Sequence, residues 1–402
     1  MTFARGKRWL PAQYISGILP NSPKDATHSR YNIENLSWRC SAVSILKKAY
    51  KRYLLDAMSA MALGLFASLI IGTILGQLAK IEFLSFLTPF STIVGASSPV
   101  VGAAIGVAVG YGLKATPLAL FSCAAVGALG YSGDFNFTGA ADFVPAFVSG
   151  GPLGAYIAAI VAAELGTLVK GKTKLDIIVV PIVAVVSGGL VARFLNPPIT
   201  VATNALQDFL AMATTLQPIP MGIVISVCFG LILTAPISSA ALAAVIFAGD
   251  PATMDTGLLL AAGAATVGCS CQMVGFGVAS YRENRVGGLI AQGVGTSMLQ
   301  VGNILKHPAI LVPATLTSAI LGPLATTVLP MYNASVAAGM GTSGFVGQLG
   351  TWEVMSLYES AGPILIKMAL LHIILPAALS LAISEFMRKR GWIHEGDMKL
   401  DL

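Results

Sequence analysis

Long apolar runs separated by short polar connections make up most of this sequence of 402 residues. A helix needs about 20 mostly apolar residues to cross about 30 Å of hydrocarbon. Six runs are clearly long enough: 57–79, 146–169, 175–195, 257–281, 309–330 and 363–387. The pattern therefore predicts an all-α polytopic membrane protein.

When the shorter apolar runs and the polar positions between them are included, the predicted number of membrane spans is about ten. They are expected near 54–79, 98–113, 115–131, 146–169, 175–195, 219–233, 236–249, 257–281, 309–330 and 363–387. The moderately apolar intervals 81–97 and 198–217 are expected to form interfacial helices. Residues 287–302 are too short and too rich in glycine for an ordinary span, so we expect them to enter the membrane and return. The glycine-rich run 339–350 is a second candidate of this kind.

The composition agrees with a membrane protein and adds little chemistry of its own. Hydrophobic residues make up 55% of the sequence and charged residues 10%. The 43 glycines lie within apolar sequence, which excludes low-complexity disorder and favours closely packed or broken helices. Five unevenly spread cysteines lack the spacing of a zinc site and are interpreted as packing residues. We expect no metal and no cofactor.

The net charge of +6 comes largely from the two ends of the chain. Residues 1–52 hold 10 of the 24 lysines and arginines, and Arg388-Lys389-Arg390 follows the last apolar run. Basic clusters beside spans mark the cytoplasmic side, which predicts cytoplasmic termini and an even number of spans. The sequence divides into a basic cytoplasmic extension (1–53), a transmembrane domain surrounded by lipid (54–388) and a cytoplasmic tail (389–402). Dispersed aromatic residues argue against nucleic-acid binding.

One unbroken charged row, Arg282-Glu283-Asn284-Arg285, stands out in this apolar chain. A charge in hydrocarbon costs about 2.5–3.5 kcal/mol on insertion scales, so such a row belongs where water, a partner or a substrate meets it. Glu283 can accept hydrogen bonds from a polyol or pair with an arginine. The alternative is an ordinary salt bridge at a cytoplasmic helix end, with Arg285 solvated.

Two halves of the sequence match weakly and predict an internal repeat. At an offset of 119 residues, Pro117 meets Pro236 and Glu164 meets Glu283. At an offset of 132, Lys174 meets Lys306 and Pro181 meets Pro313. The change of offset corresponds to the glycine-rich stretch 287–302, which the first copy lacks. Transporters often bind substrate between such repeats.

Several runs resemble one membrane protein family. They are Gly263-Ala264-Ala265-Thr266-Val267-Gly268-Cys269, Ser280-Tyr281-Arg282-Glu283-Asn284, Gly295-Thr296-Ser297-Met298-Leu299-Gln300 and Gly339-Met340-Gly341-Thr342-Ser343-Gly344. These runs are similar to EIIC-type membrane components of the bacterial phosphoenolpyruvate-dependent sugar phosphotransferase system, in the subgroup with perfringolysin-regulator-like proteins. The resemblance covers about 55–385. It implies a homodimeric sugar permease in the bacterial inner membrane, with phosphoryl groups supplied by separate soluble phosphocarrier subunits.

Candidate substrate contacts follow from the chemistry of sugars, whose hydroxyls are bound by amides and carboxylates that form several hydrogen bonds at once. The predicted substrate-binding residues are Glu164, Gln272, Arg282, Glu283, Asn284, Gln300, Asn303, His307, Thr342, Ser343 and Gln348. For His307 the alternative is a helix-start residue contacting lipid headgroups, and for Gln272 an interhelical hydrogen bond. We identify no self-contained catalytic site. A ligand-sensing regulator and a solute or ion channel remain alternatives to the permease.

Overall fold

The computed structural model describes residues 48–79, 81–95, 98–133 and 147–400. Tyr53–Leu402 form one compact unit, and of the other unit, Met1–Arg52, only residues 48–52 are described. The predicted extension 1–53 therefore lies almost wholly outside the described residues. Within the described ranges the regular elements are all helical.

Thirteen helices of the described chain position the features discussed below. They are α1 (Tyr50–Gly76), α2 (Pro99–Gly112), α3 (Pro117–Ser132), α4 (Gly151–Val169), α5 (Asp176–Ala213), α6 (Pro218–Thr234), α7 (Ser239–Ile246), α8 (Thr256–Ala279), α9 (Tyr281–Ile290), α10 (Val301–Lys306), α11 (Pro308–Thr326), α12 (Val346–Met355) and α13 (Ala361–Lys389). Shorter helical pieces are Glu82–Leu87, Thr88–Ile93, Ala291–Gly295, Ser297–Gln300, Ser335–Ala338 and Ser343–Phe345.

Six helices of the described chain are long and apolar enough to cross a membrane: α1, α4, α5, α8, α11 and α13. Three shorter apolar helices, α2, α3 and α6, are 14, 16 and 17 residues long. The protein is thus a polytopic helical membrane protein. The count of ten spans and the internal repeat stay predictions.

Two predicted elements differ in the structure. The range 236–249 was expected to span, but its helix α7 has only 8 residues and reaches about 12 Å. It begins after Pro236 and ends before Gly249, whose φ is +135°. The interval 198–217 was expected to be a separate interfacial helix, but α5 runs on through Pro197 and Pro198. Proline has a helical φ, and it is tolerated inside a helix where packing offsets the lost hydrogen bond.

Helix α8 is the centre of the second half of the chain. Its residues 261–277 are almost continuously buried, and it packs against α6, α11 and α13. Close approach depends on glycine: a Cβ on Gly268 would lie 1.9 Å from the carbonyl oxygen of Ser226 on α6. In the first half, α2, α3, α4 and α5 pack in succession around small residues.

Candidate functional site

Two segments of the chain turn back on themselves beside α8. The first hairpin, residues 281–306, runs through α9, turns at 291–296 and returns through Ser297–Gln300 and α10. The second hairpin, residues 335–355, begins with Ser335–Ala338, turns within the glycine-rich run and returns through α12. Gly341 and Gly344 have φ values of +52° and +53°, which glycine adopts without strain and which the sharp second turn requires.

The hairpins approach α8 from opposite ends. The first hairpin begins directly after the end of α8, and Gln292 Nε2 in its turn donates back to Ser280 Oγ (2.9 Å) at that end. Before the second, Asn333 N donates to the carbonyl of Leu259 (3.4 Å), in the first turn of α8. Leu259 and Ser280 are about 30 Å apart along a helix. The two turns therefore reach the interior of the protein from different sides.

The tips of the hairpins meet between these ends. Thr342 Oγ1 donates to the carbonyl of Gly293 (2.5 Å), and Ser343 Oγ donates to that of Gly295 (2.9 Å). Gly341 lies so close to α8 that a Cβ would be 2.7 Å from the backbone of Cys269. The meeting point thus lies beside the middle of α8, where two interrupted helices bring backbone carbonyls into the core.

A buried polar cluster surrounds this meeting point. Gln272 Nε2 on α8 donates to Thr315 Oγ1 (3.0 Å), and Thr234 Oγ1 lies 2.8 Å from Ser297 Oγ. Thr234 also lies 3.5 Å from Gln272 Oε1, at the limit of a hydrogen bond. The predicted residues Thr342 and Ser343 therefore contact the first hairpin directly, and Gln272 is linked to it through Thr234 and Ser297. The bond from Gln272 to Thr315 joins α8 to α11, so Gln272 makes the interhelical hydrogen bond that was the alternative to a substrate contact.

Sequence reasoning missed Thr234 and Ser297, which contribute to the same cluster. Thr234 is the last residue of α6 and precedes Ala235-Pro236, a signal for a helix end that exposes polar groups. Ser297 lies in the run 295–300 that carried the family resemblance. Both signals were available, but their 63-residue separation gives no hint that the two hydroxyls meet.

Three cavities share lining residues, and the two smaller ones are lined in part by the hairpins. The largest has a volume of about 540 Å³ and lies between α4, the middle of α5 and α7. A cavity of about 50 Å³ shares Pro152, Ile237 and Ser238 with it. A third, of about 280 Å³, shares Leu69, Ala240 and Met340 with the small one. The small central cavity is lined by the polar residues Ser238, Ser239, Thr296 and Ser343.

The charged row forms ion pairs with the last helix rather than within itself. Glu283 pairs with Arg388 (2.8 Å), with side-chain exposures of 4% and 9%. Arg282 pairs with Glu385 (2.7 Å) at the surface, where the exposures are 65% and 29%. Glu283 therefore pairs with an arginine, but with Arg388 of α13 rather than with Arg282 or Arg285 beside it, because α9 turns its carboxylate toward the end of α13. Arg285 has a φ of +52° and is exposed.

Four other predicted residues contact the end of the chain. Asn284, Gln300 and Asn303 donate side-chain hydrogen bonds to carbonyls of Met398 and Lys399, and His307 Nδ1 lies 3.3 Å from Asp397 Oδ1. None of the four lines the three cavities. Residues 391–400, placed in a cytoplasmic tail by the sequence prediction, are packed against the first hairpin.

The remaining two predicted residues lie apart from both groups. Gln348 on α12 contacts the buried His372 on α13, with 3.1 Å between Nε2 and Nδ1. Gln348 Oε1 and His372 Nε2 have no hydrogen-bond partner. Glu164 is half-buried on α4. His372 was not predicted as a site residue, since a lone histidine in an apolar run carries no spacing signal.

The comparisons with known proteins give one match. Residues 55–400 match the family described as "Phosphotransferase system, EIIC". No curated protein and no solved structure matches. The match confirms the resemblance read from the sequence and extends it beyond residue 385, over the segment packed against the first hairpin. The subgroup stays a prediction. The family implies a carbohydrate substrate and soluble phosphotransferase partners. The chain belongs to the EIIC family of phosphotransferase-system membrane permease components.

Proposed function

We propose that this protein binds a small carbohydrate where the two hairpin tips meet and carries it across the membrane for phosphorylation by a soluble partner. The observation that carries the proposal is the contact of Thr342 and Ser343 with the carbonyls of Gly293 and Gly295. Transporters commonly bind substrate at interrupted helices near the middle of the membrane, where non-helical backbone is tolerated because it faces protein or a polar cavity.

The cavity volumes support a constriction at the hairpin tips. A volume of about 540 Å³ is in the range of small-molecule sites, whereas 50 Å³ holds a few waters and no sugar. The path is therefore narrowest beside Thr296, Ser343 and Met340. Because each hairpin is based at a different end of α8, movement of one hairpin would open the site toward one side only. This arrangement suits alternating access.

The chemistry of the central site suits hydroxyl groups. The small central cavity is lined by the hydroxyl groups of Ser238, Ser239, Thr296 and Ser343, which offer donors and acceptors without a formal charge, and the rest of its wall is apolar. A neutral polyol can exchange hydrogen bonds with these groups as the tips separate. The side chains Asn284, Gln300 and Asn303 are occupied by backbone carbonyls, so we assign them no sugar contact.

The orientation and assembly belong to the same proposal. Basic residues Arg388, Lys389 and Arg390 end α13 beside Glu283. We take this end of α8 as the cytoplasmic side of a bacterial inner membrane, where a phosphorylated partner meets the released sugar. We further propose a homodimer with both termini cytoplasmic. Labelling of single cysteines introduced at Lys389 and at Asp250 from each side of the membrane tests the orientation, and reversed labelling contradicts it.

Uptake of labelled sugars into membrane vesicles, with and without phosphorylated partner proteins, tests the function. Ser343→Ala removes the bond to Gly295 and should change uptake at low sugar by about 2- to 10-fold, the effect of one hydrogen bond. Ser356→Ala, which removes a hydroxyl at an exposed site, is the matched control and should leave uptake unchanged. Absence of uptake for every carbohydrate tried contradicts the proposal. Uptake that is independent of the partner indicates an uncoupled channel, and ligand binding without uptake indicates a sensor.

A further inference from the structure

One backbone carbonyl bridges both arms of the first hairpin. The carbonyl of Met398 accepts hydrogen bonds from Asn284 Nδ2 (2.8 Å) and from Gln300 Nε2 (2.9 Å). Asn284 lies on the outgoing arm and Gln300 on the returning arm. The two arms are thus tied through residues 391–400, named here the C-terminal segment.

The neighbouring contacts also recognise main chain. Asn284 Oδ1 accepts from the backbone N–H of Leu400 (2.8 Å), so this amide forms a two-bond pair with the segment. Asn303 Nδ2 donates to the carbonyl of Lys399 (2.8 Å). Gln300 Nε2 also donates to Gln292 Oε1, and Asn303 Nδ2 donates to Gln300 Oε1. These two bonds fix the orientation of the side-chain amides of Gln300 and Asn303. Side-chain amides that pair with main-chain N–H and C=O groups in this way make contacts that do not depend on the side chains of the bound residues.

Specificity comes from two other contacts. The side chain of Met398 is fully buried with Phe276, Ile310 and Ala314, next to the nearly buried Ile393. Asp397 accepts from the backbone N–H of His394 (2.7 Å) and lies 3.3 Å from His307 Nδ1. A ligand for this site therefore needs an apolar side chain in the Met398 pocket and an acidic residue just before it.

We propose that Asn284, Gln300 and Asn303 form a peptide-binding site whose resident ligand is the C-terminal segment, and that this ligand clamps the arms of the first hairpin together. Separating the arms requires breaking the bonds from the carbonyl of Met398 to Asn284 or to Gln300. Most of the remaining segment is exposed, including Trp392 at 59%. Release of the segment withdraws the side chains of Met398 and Ile393 from their apolar pocket and breaks two long contacts, from Arg388 Nη1 to the carbonyl of His394 (3.4 Å) and from the N–H of Gly396 to Glu283 Oε1 (3.4 Å).

The consequence for transport rests on the proposed function, whereas peptide binding does not. If the first hairpin is a gate, the clamp slows its opening. Release of the segment then raises the uptake rate. A soluble partner that binds and displaces the segment would therefore promote opening of the first hairpin when it binds.

The test uses the full chain with a specific protease site inserted between Gly391 and Trp392, so that the protein folds before it is cut. Cutting and washing remove the segment. A fluorescein-labelled peptide of residues 392–402 is then titrated against the cut protein in detergent. We expect saturable binding that the unlabelled peptide competes away. A peptide with Met398→Lys should bind about tenfold or more weakly, since its charge cannot enter the apolar pocket.

Variants and hydrogen exchange separate a clamp from a passive contact. Asn284→Leu removes two hydrogen bonds and should weaken peptide binding about tenfold, whereas Gln217→Leu at an exposed position is the control. Amide exchange within 286–296 should accelerate after cutting and return when peptide is added. Equal binding by the Asn284 variant, failure of the peptide to bind, or unchanged exchange after removal each overturns the proposal. Peptide binding together with absent sugar uptake would contradict the proposed function alone.

Discussion

Loss of Arg388 should destabilise the protein far more than loss of Arg282, although both arginines form an ion pair with a glutamate. The two N–O distances are almost equal, 2.8 Å for Arg388–Glu283 and 2.7 Å for Arg282–Glu385. The pairs differ in burial, since Arg388 and Glu283 are less than a tenth exposed and Arg282 is 65% exposed. Burial is therefore the difference from which we expect a larger loss of stability for the Arg388 variant than for the Arg282 variant.

The expected magnitudes follow from solvation. Removing one partner of a buried pair leaves an unpaired charge and costs about 3–5 kcal/mol, whereas an exposed pair contributes less than about 1 kcal/mol. Arg388→Met also removes a bond from Nη2 to the carbonyl of Ala279 (3.1 Å), at the end of α8. In a chain of this size the larger loss corresponds to a decrease of roughly 4–7 °C in the melting temperature.

The assay is thermal unfolding of purified variants in one detergent at one scan rate, because irreversible unfolding makes the midpoint depend on the rate. Arg282→Met is the matched control and should shift the midpoint by no more than about 2 °C. The double variant Glu283→Leu with Arg388→Met should be more stable than Arg388→Met alone, since no charge is left unpaired. Equal shifts for Arg282→Met and Arg388→Met would refute the reasoning from burial.

Two further predictions concern packing and buried polar groups. Gly268→Val should abolish folded protein, because even a Cβ at this position would lie 1.9 Å from the carbonyl oxygen of Ser226. Gly287→Ala is the control and should give a normal yield, because a Cβ there has no neighbouring atom within 4 Å. The yield of monodisperse protein after detergent extraction measures both effects, and a normal yield for Gly268→Val contradicts the close approach of α6 and α8. Asn196→Ala removes bonds from Nδ2 to the carbonyls of Gly130 (3.1 Å) and Val148 (2.7 Å) and should cost about 1–3 kcal/mol in thermal unfolding. An unchanged midpoint would show that water replaces the amide.

Much of the helical architecture is readable from local pattern. A run of apolar residues must pair its backbone internally, so the long runs predicted all six long helices of the described chain, and the bounds of α4, α8, α11 and α13 lie within a few residues of the prediction, whereas α1 begins earlier and α5 ends later. Where the pattern was ambiguous, the prediction was poorer. The moderately apolar interval 198–217 predicted a separate interfacial helix, but Asn196 is anchored to Gly130 and Val148 and α5 continues through this interval to Ala213.

The charged row shows why site residues are harder to predict than helices. A planar amide satisfies a sugar hydroxyl and a peptide carbonyl equally well, so Asn284, Gln300 and Asn303 had the right chemistry for a ligand that the sequence could not identify. The structure places residues 398–400 there. No periodicity links position 284 to position 400.

The sequence by itself determined the class of protein, its apolar helices and its family, because hydropathy and short motifs are local properties. It also determined that Thr342 and Ser343 lie in a glycine-rich turn. Only the tertiary structure decided that this turn meets Gly293 and Gly295, and that the end of the chain ties the arms of the first hairpin. Those contacts join residues about 50 to 115 positions apart, and their partners are chosen by how buried polar groups are satisfied once the helices have packed.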